Sequence, residues 1–456
     1  MKRYSYIFFL CLLVLGIADL VSAESGANKL TGHAGSEVQF DIRKFGARGD
    51  SVTLNTKAIQ GAIDACAANG GGTVLITDGI FSSGALFLKD NVRIKIERSA
   101  RLRAVAGIEH YPVLKNTRVA GIEMNWPSAF VNAIEVKNVR IDGEGTIDGS
   151  GYYWWQPYWV KRDSLVKTTP PDLIDWYVPR PRLILFDKVS GGQISGLRLC
   201  NAGFWTVHIC YSKNIELFDL DIYNPVLAEG KRAASTDGID VDSSRDVIIR
   251  NCTISVDDDC IAIKSGRGSD GLRINIPTQN VLIENCIFKK GHGGVSIGTE
   301  TAGGIKNVMV RNCVADGNEA AIKFKPRPGR GGVIENITHS GWEIKNGVTA
   351  IEYSLRKVNG QDYMDEWQQI QIPFEKATPR YRNITIQNVR ASNMKKALSF
   401  QGWPLAHVEN VIFQDIQIQA EDAGVIRFVD NLVLKNVKID TSGKPLEILD
   451  TPNIIR

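Results

Sequence analysis

Helical periodicity is almost missing from this 456-residue chain beyond residue 85. That excludes helical bundles and alternating α/β folds. No Cys-x-x-Cys pair occurs, which argues against a bound zinc ion. Charge of one sign is lacking too: 54 Lys and Arg stand against 50 Asp and Glu, a net charge of +4. Such a balance offers no strong basic field for nucleic acid. With 43% hydrophobic and 23% charged residues, the chain has enough apolar side chains for a large core.

Long apolar runs are confined to residues 7–17. Lys2 and Arg3 precede that run, and Val21-Ser22-Ala23 follows it. This is the pattern of an export signal cut after Ala23, and the run is short for a bilayer span. The expectation is a secreted or periplasmic protein, 24–456 as a single domain, monomeric and free of the membrane once the signal is cleaved. Seven cysteines would remain: Cys66, Cys200, Cys210, Cys252, Cys260, Cys286 and Cys313. An odd number leaves at least one unpaired. Asn251-Cys252, Asn285-Cys286 and Asn312-Cys313 share one context, which fits small hydrophobes stacked in a repeat better than disulfides.

What the sequence does contain is a degenerate repeat. A phrase of the form Asn/Asp-aliphatic-x-aliphatic begins at Asn138, Asn214, Asp246, Asn280, Asn307, Asn383, Asn410 and Asn431. Intervals of 32, 34 and 27 residues separate positions 214, 246, 280 and 307. The longer gap to 383 has room for a weaker copy at Asn336-Ile337-Thr338. Each phrase is a short strand rich in Val and Ile. One coil cannot bury its apolar face alone, so coils stack. The fold expected is all-β, a right-handed parallel β-helix. A β-propeller would need blades of about 40–45 residues, longer than these units. The Asn before each strand predicts a turn residue of unusual backbone conformation, stacked into a ladder. One helix is expected over residues 55–68, where Ala58, Ile59, Ala62, Ile63 and Cys66 form an apolar stripe. It would cap the open N-terminal end of the solenoid. Residues 150–182 hold four Trp and read as a long loop, its aromatics serving as sugar platforms or as packing. Residues 355–380 form a second insertion.

In a solenoid, residues at one phase of successive coils form a line, because neighbouring strands lie about 4.8 Å apart. Counting from the anchors brings Asp237, Asp258/Asp259, His292, Lys323/Lys325 and Tyr353 onto one face. Clustered carboxylates drive their pKa values apart, so one serves as acid and another as base, as glycosidic hydrolysis requires. Neighbouring lysines would hold an acidic substrate. The same oxygens, with Asp240, Asp242 and Asp257, would also suit calcium, and a solvated outer face is a third reading. His292 lies in Gly291-His292-Gly293, where small neighbours allow close approach.

At these residues the sequence resembles the polygalacturonase family, glycoside hydrolase family 28, from Phe40 to about Val437. The family pattern is Asn-Thr-Asp, Asp-Asp, Gly-His-Gly and Arg-Ile-Lys. Here it stands as Ser235-Thr236-Asp237, Asp258-Asp259, Gly291-His292-Gly293 and Lys323-Phe324-Lys325. The resemblance implies an enzyme that hydrolyses α-1,4-galacturonosyl bonds of pectin with inversion and without a metal or other cofactor. It implies Asp258 as general acid, Asp237 and Asp259 as activators of water, and His292 as the residue that tunes the acid. Lys325, Lys323, Tyr353 and Ser235 would contact substrate. Ser235 replaces the family's Asn and Lys323 its Arg, so a decorated pectin such as rhamnogalacturonan or xylogalacturonan is the alternative substrate. Lys264 to Ile276 is similar to exo-acting relatives, and exo action is expected. A calcium-dependent lyase and a non-catalytic glycan-binding solenoid are the readings from other classes.

Overall fold

Val, Ile and Leu at every second position of short segments face one way, and Asn or Asp at each corner turns the chain. In the computed structural model this pattern winds the described residues from 39 to 456 into a right-handed parallel β-helix. The structure describes residues 38–166, 171–224, 232–355 and 372–456. The expected signal, residues 1–23, lies outside the described residues, as does most of the insertion at 355–380.

Register follows the counted repeat. Ile215, Val247, Val281, Val308, Ile337, Ile384, Val411 and Leu432 pair successively across eight coils. All are buried, and they form one core with their counterparts on the other faces. The residue before each is an Asn or Asp at positive φ, between 56° and 60°. Asn tolerates this left-handed conformation because its short side chain bonds locally. Its side-chain amide then donates to the Oδ1 of the corner one coil before: Asn307 to Asn280, Asn336 to Asn307 and Asn383 to Asn336, each at 3.1 Å. Asn336→Ala should therefore lower stability by about 2 kcal/mol, through left-handed strain and a broken ladder. Asn336→Gly, which relieves the strain, should cost about half as much. Thermal unfolding of the two variants checks the order, and a Gly variant less stable than the Ala variant contradicts it.

A helix, Thr56–Ala68, buries Ile59, Ala62, Ile63 and Cys66 against the first strands, Gln39–Asp41, Gly72–Ile76 and Leu86–Leu88, as expected of a cap. Cys200, Cys210, Cys252, Cys260, Cys286 and Cys313 form no disulfide and are buried, and Cys66 is buried too. Cys252, Cys286 and Cys313 occupy one position in three successive coils.

The segment 150–182 differs from its reading as a loop. It contains a helix, Tyr152–Leu165, and a 3-10 helix, Pro171–Tyr177. Its aromatics point in several directions and Pro157 interrupts it, so no 3.6-residue stripe marks it in the sequence. Trp155 and Tyr158 are packing residues: Trp155 Nε1 donates to the Ala202 carbonyl at 2.8 Å, and Tyr158 packs with Ile174 and Ala234. Short helices at Gly268–Ile274 and Phe374–Ala377 also lie outside the expected elements. One antiparallel hairpin, Val113–Val119 with Ile122–Pro127, covers part of the sheet. Arg118 pins it down through Asp242 at 3.1 Å and Ser243 at 2.8 Å. Arg182 adds bonds to the Arg118 carbonyl and to His208 Nδ1. His208 is thus a buried packing residue.

Candidate active site

Five strands build the face on which the expected site residues fall: Ile239–Asp242, Asp259–Lys264, Gly293–Gly298, Ala320–Lys325 and Thr349–Tyr353. Ile239, Ile261, Val295, Ile322 and Ile351 pair in one inward line. Side chains alternate along a strand, so Asp240, Ala262, Ser296, Lys323 and Glu352 form the outward line beside it. Asp259 pairs with Gly293, which sets Asp258 level with His292. Asp237 stands two residues before Ile239, as Asp259 does before Ile261, and so these two carboxylates are level.

Carboxylate oxygens of Asp237, Asp258 and Asp259 come within 4.8 Å of one another. Each acid has its own cation. Lys264 Nζ lies 3.0 Å from Asp237 Oδ2, and Lys325 Nζ lies 2.6 Å from Asp259 Oδ2. His292 Nδ1 is 3.3 Å from Asp258 Oδ1. Ser296 Oγ donates to Asp259 Oδ1 at 2.8 Å. Gly293 makes room for that bond: a Cβ there would stand 2.1 Å from Ser296 Oγ and 2.8 Å from Asp259 Oδ1. Lys323 Nζ donates to the His292 carbonyl at 2.9 Å.

Burial alone would raise all three carboxyls. The cations decide otherwise for two of them. His292, then Lys325 and Lys264, hold Asp258 well below the usual carboxylate range despite its desolvation. Lys325 and Lys323 hold Asp259 low against the charge of Asp258. For Asp237, burial outweighs Lys264, and with Asp240, Asp258 and Asp259 nearby it is pushed well up. His292 is raised by Asp258 against its own burial. The cluster thus drives its titrations apart, with Asp237 and His292 pushed up and Asp258 and Asp259 pushed down.

Seven of the eight expected residues gather here, Ser235 joining through the segment described next. Tyr353 does not. It pairs with Phe324 rather than with Lys323, is 3% exposed, and packs among Phe324, Tyr381 and Phe400. The period of two turns its side chain into the core, and Glu352 takes the outward phase. The sequence reading also missed two residues. Lys264 lies beneath Asp237, 2.7 Å from Asp240 and 3.9 Å from the centre of the Trp205 ring. Its pairing with Asp242 of the coil before, an outward position, was the available signal. Asp175 accepts a hydrogen bond from Ser235 Oγ at 2.9 Å, and it comes from the insertion, where no repeat phase exists to count.

Stacked coils that expose a cleft of paired carboxylates between lysines and a histidine define a carbohydrate-cleaving solenoid, a glycoside hydrolase. The comparisons sharpen that class. The model of Glycosyl hydrolases family 28 matches residues 110–431, and the chain belongs to this family. It is 29% identical over 412 residues to a probable polygalacturonase of Vitis vinifera, spanning 88% of this chain and 77% of the relative. It is 28% identical over 400 residues to an endo-polygalacturonase of Pectobacterium carotovorum subsp. carotovorum, spanning 85% of this chain and 91% of the relative. Among solved structures, a hyperthermoactive exopolygalacturonase from Thermotoga maritima superposes with a TM-score of 0.75 at 26% identity, over 88% of this chain and 92% of that one.

Proposed function

We propose that the protein is an exported, monomeric polygalacturonase that hydrolyses α-1,4-galacturonosyl bonds of pectin from a chain end. The observation that carries this reading is the trio Asp237, Asp258 and Asp259, each facing a cation and flanked by Lys323 and Lys325. Such a site has acid, base and a positive wall for a sugar carboxylate. Asp258 delivers to the glycosidic oxygen the proton it shares with His292. Asp259, held ionised by Lys325, takes the proton of the attacking water, with Asp237 beside it. Lys325 and Lys323 meet the galacturonate carboxylate.

End-wise action rests on the insertion. Tyr158 and Ile174 pack on Ala234, directly before Ser235, and Arg180 donates to the Ala234 carbonyl at 2.7 Å. Trp176 reaches Arg267, whose guanidinium lies 5.0 Å from its ring centre. We read this packing as a wall at the Asp237 end of the cleft. Inversion follows the family resemblance, in which a water enters between base carboxylate and sugar. Proton NMR of the first product decides: a β anomer supports inversion, an α anomer retention.

A calcium-dependent lyase fits these residues less well, because the carboxylates already face Lys264, Lys325 and His292. Reducing-end release from polygalacturonate, with and without chelator, tests the point. The hydrolase reading predicts equal rates and no unsaturated ends. Chelator-sensitive release with unsaturated ends would overturn it. Cleavage of another pectin but not of galacturonan would overturn the substrate alone.

The pH profile follows from His292. Its pKa is raised above the ordinary value of 6.5, so the proton shared with Asp258 is present below that value and lost as pH rises through the raised one. Turnover should fall on the alkaline side above pH 6.5, and His292→Gln should abolish that limb. A limb unchanged in His292→Gln contradicts the role.

A further inference from the structure

The carboxylate of Asp175 stands at the walled end of the cleft and belongs to no coil of the solenoid. It lies on the 3-10 segment Pro171–Tyr177. The Ser235 hydroxyl donates to it in bifurcated fashion, at 2.9 Å to Oδ1 and 3.0 Å to Oδ2. Arg180 pairs with Oδ1. Arg180 is itself fixed by the carbonyls of Ala234 and Gly203, at 2.7 and 3.2 Å, and lies over the Tyr158 ring. The coil that carries Asp237 therefore grips Asp175. Nevertheless 19% of its side chain stays accessible; burial, opposed by Arg180 and Ser235 and aided by the charge of Asp258, pushes its pKa up. A carboxylate offers about four acceptor positions. Ser235 and Arg180 occupy part of that capacity, and the accessible part of the side chain leaves an acceptor position for a ligand. Arg180 balances the charge, so an anionic sugar is not repelled.

The orientation of the sugar chain rests on the polygalacturonase reading. A base that activates water serves the anomeric carbon of the glycone, whereas the acid serves the leaving oxygen. Of the two carboxylates beside the water, Asp259 shares the coil of Asp258 and Asp237 stands one coil before it with Ser235, whereas His292, which feeds the acid, lies one coil after. The glycone thus lies toward Ser235 and Asp175. We infer that Asp175 reads the non-reducing end, its carboxylate accepting a hydrogen bond from the C4 hydroxyl that only a terminal sugar carries. Inside a chain that oxygen is glycosidic and has no proton. It would face Asp175 as acceptor against acceptor, in a site where an unmatched polar group is costly. The same carboxylate selects the terminus and rejects the interior, which also accounts for Ser where the family has Asn: the hydroxyl is a donor that holds Asp175.

The test uses two oligogalacturonides of equal length, one with a saturated and one with a 4,5-unsaturated non-reducing end, which lacks the C4 hydroxyl. The full-length enzyme should show a kcat/KM about 10- to 100-fold higher on the saturated one, the usual range for a bond to a charged group. Asp175→Ala should bring the ratio near one, and Asp175→Asn, which retains the shape and an acceptor, should give an intermediate ratio. A ratio of two substrates on one variant does not move with the folded fraction, so a merely structural role leaves it unchanged. An unchanged ratio in Asp175→Ala, or a wild-type ratio near one, overturns this inference alone. Discrimination instead against an oligomer reduced at its other end overturns the orientation. Absence of turnover on both oligomers overturns the galacturonan reading and this inference with it.

Discussion

Asp258→Asn is expected to lower kcat on polygalacturonate by about 10³- to 10⁴-fold, the upper part of the range for loss of a positioned acid. Oligogalacturonide binding should change less than about tenfold, because the amide preserves shape and removes only a transition-state interaction. The structural reason is the pairing with His292: Asp258 Oδ1 also accepts the Asp259 backbone N–H at 2.9 Å, so the carboxyl is fixed in place. Asparagine cannot pass a proton from His292 to a leaving oxygen. Steady-state rates together with titration calorimetry separate the two effects. A kcat within tenfold of the parent would show that another group is the acid, and Asp237, which is pushed well up, would be the next residue to replace.

Lys325→Met should lower kcat/KM by about 10²- to 10³-fold, because it removes a substrate contact and the counter-charge of the base together. Lys325 is the largest influence holding Asp259 low. A depressed carboxylate works as a base above its own pKa and fails as pH falls through it. Without Lys325 that pKa rises, so the acidic limb of the pH profile should move to higher pH. Lys323→Met is the contrast. Its Nζ donates to the His292 carbonyl and it is the weaker of the two lysines acting on Asp259, so it should raise KM with a small change in kcat and move the acidic limb less than Lys325→Met does. Equal pH profiles in the two variants would contradict this division.

The solenoid was legible because its physics is periodic. An Asn at positive φ followed by alternating aliphatics recurs with each coil, and Asn336 was found by counting although its phrase is weak. The same counting set Asp258 beside His292, since both lie 12 residues beyond their anchors and the register pairs their neighbours. Counting failed where one residue decides the face. Tyr353 falls one position beyond the outward phase, and a slip of one exchanges cleft for core. The insertion at 150–182 was illegible for another reason. Its helix packs aromatics on several sides, and Asp175 reaches Ser235 through tertiary contacts that leave no period in the sequence. Lys264 lies between these cases: its outward phase was countable, but its burial beneath Asp237 follows only once Trp205 is in place.

End-wise hydrolysis of galacturonan is the central proposal, resting on three carboxylates that each face a basic side chain and on the insertion packed beside Ser235. The most direct measurement is the product profile of a polygalacturonate digest followed from its first moments in the presence of chelator. The account predicts saturated monomer as the first product while long chains persist and viscosity falls slowly. A ladder of intermediate oligomers with a rapid loss of viscosity would contradict the walled end, and unsaturated products would contradict hydrolysis itself.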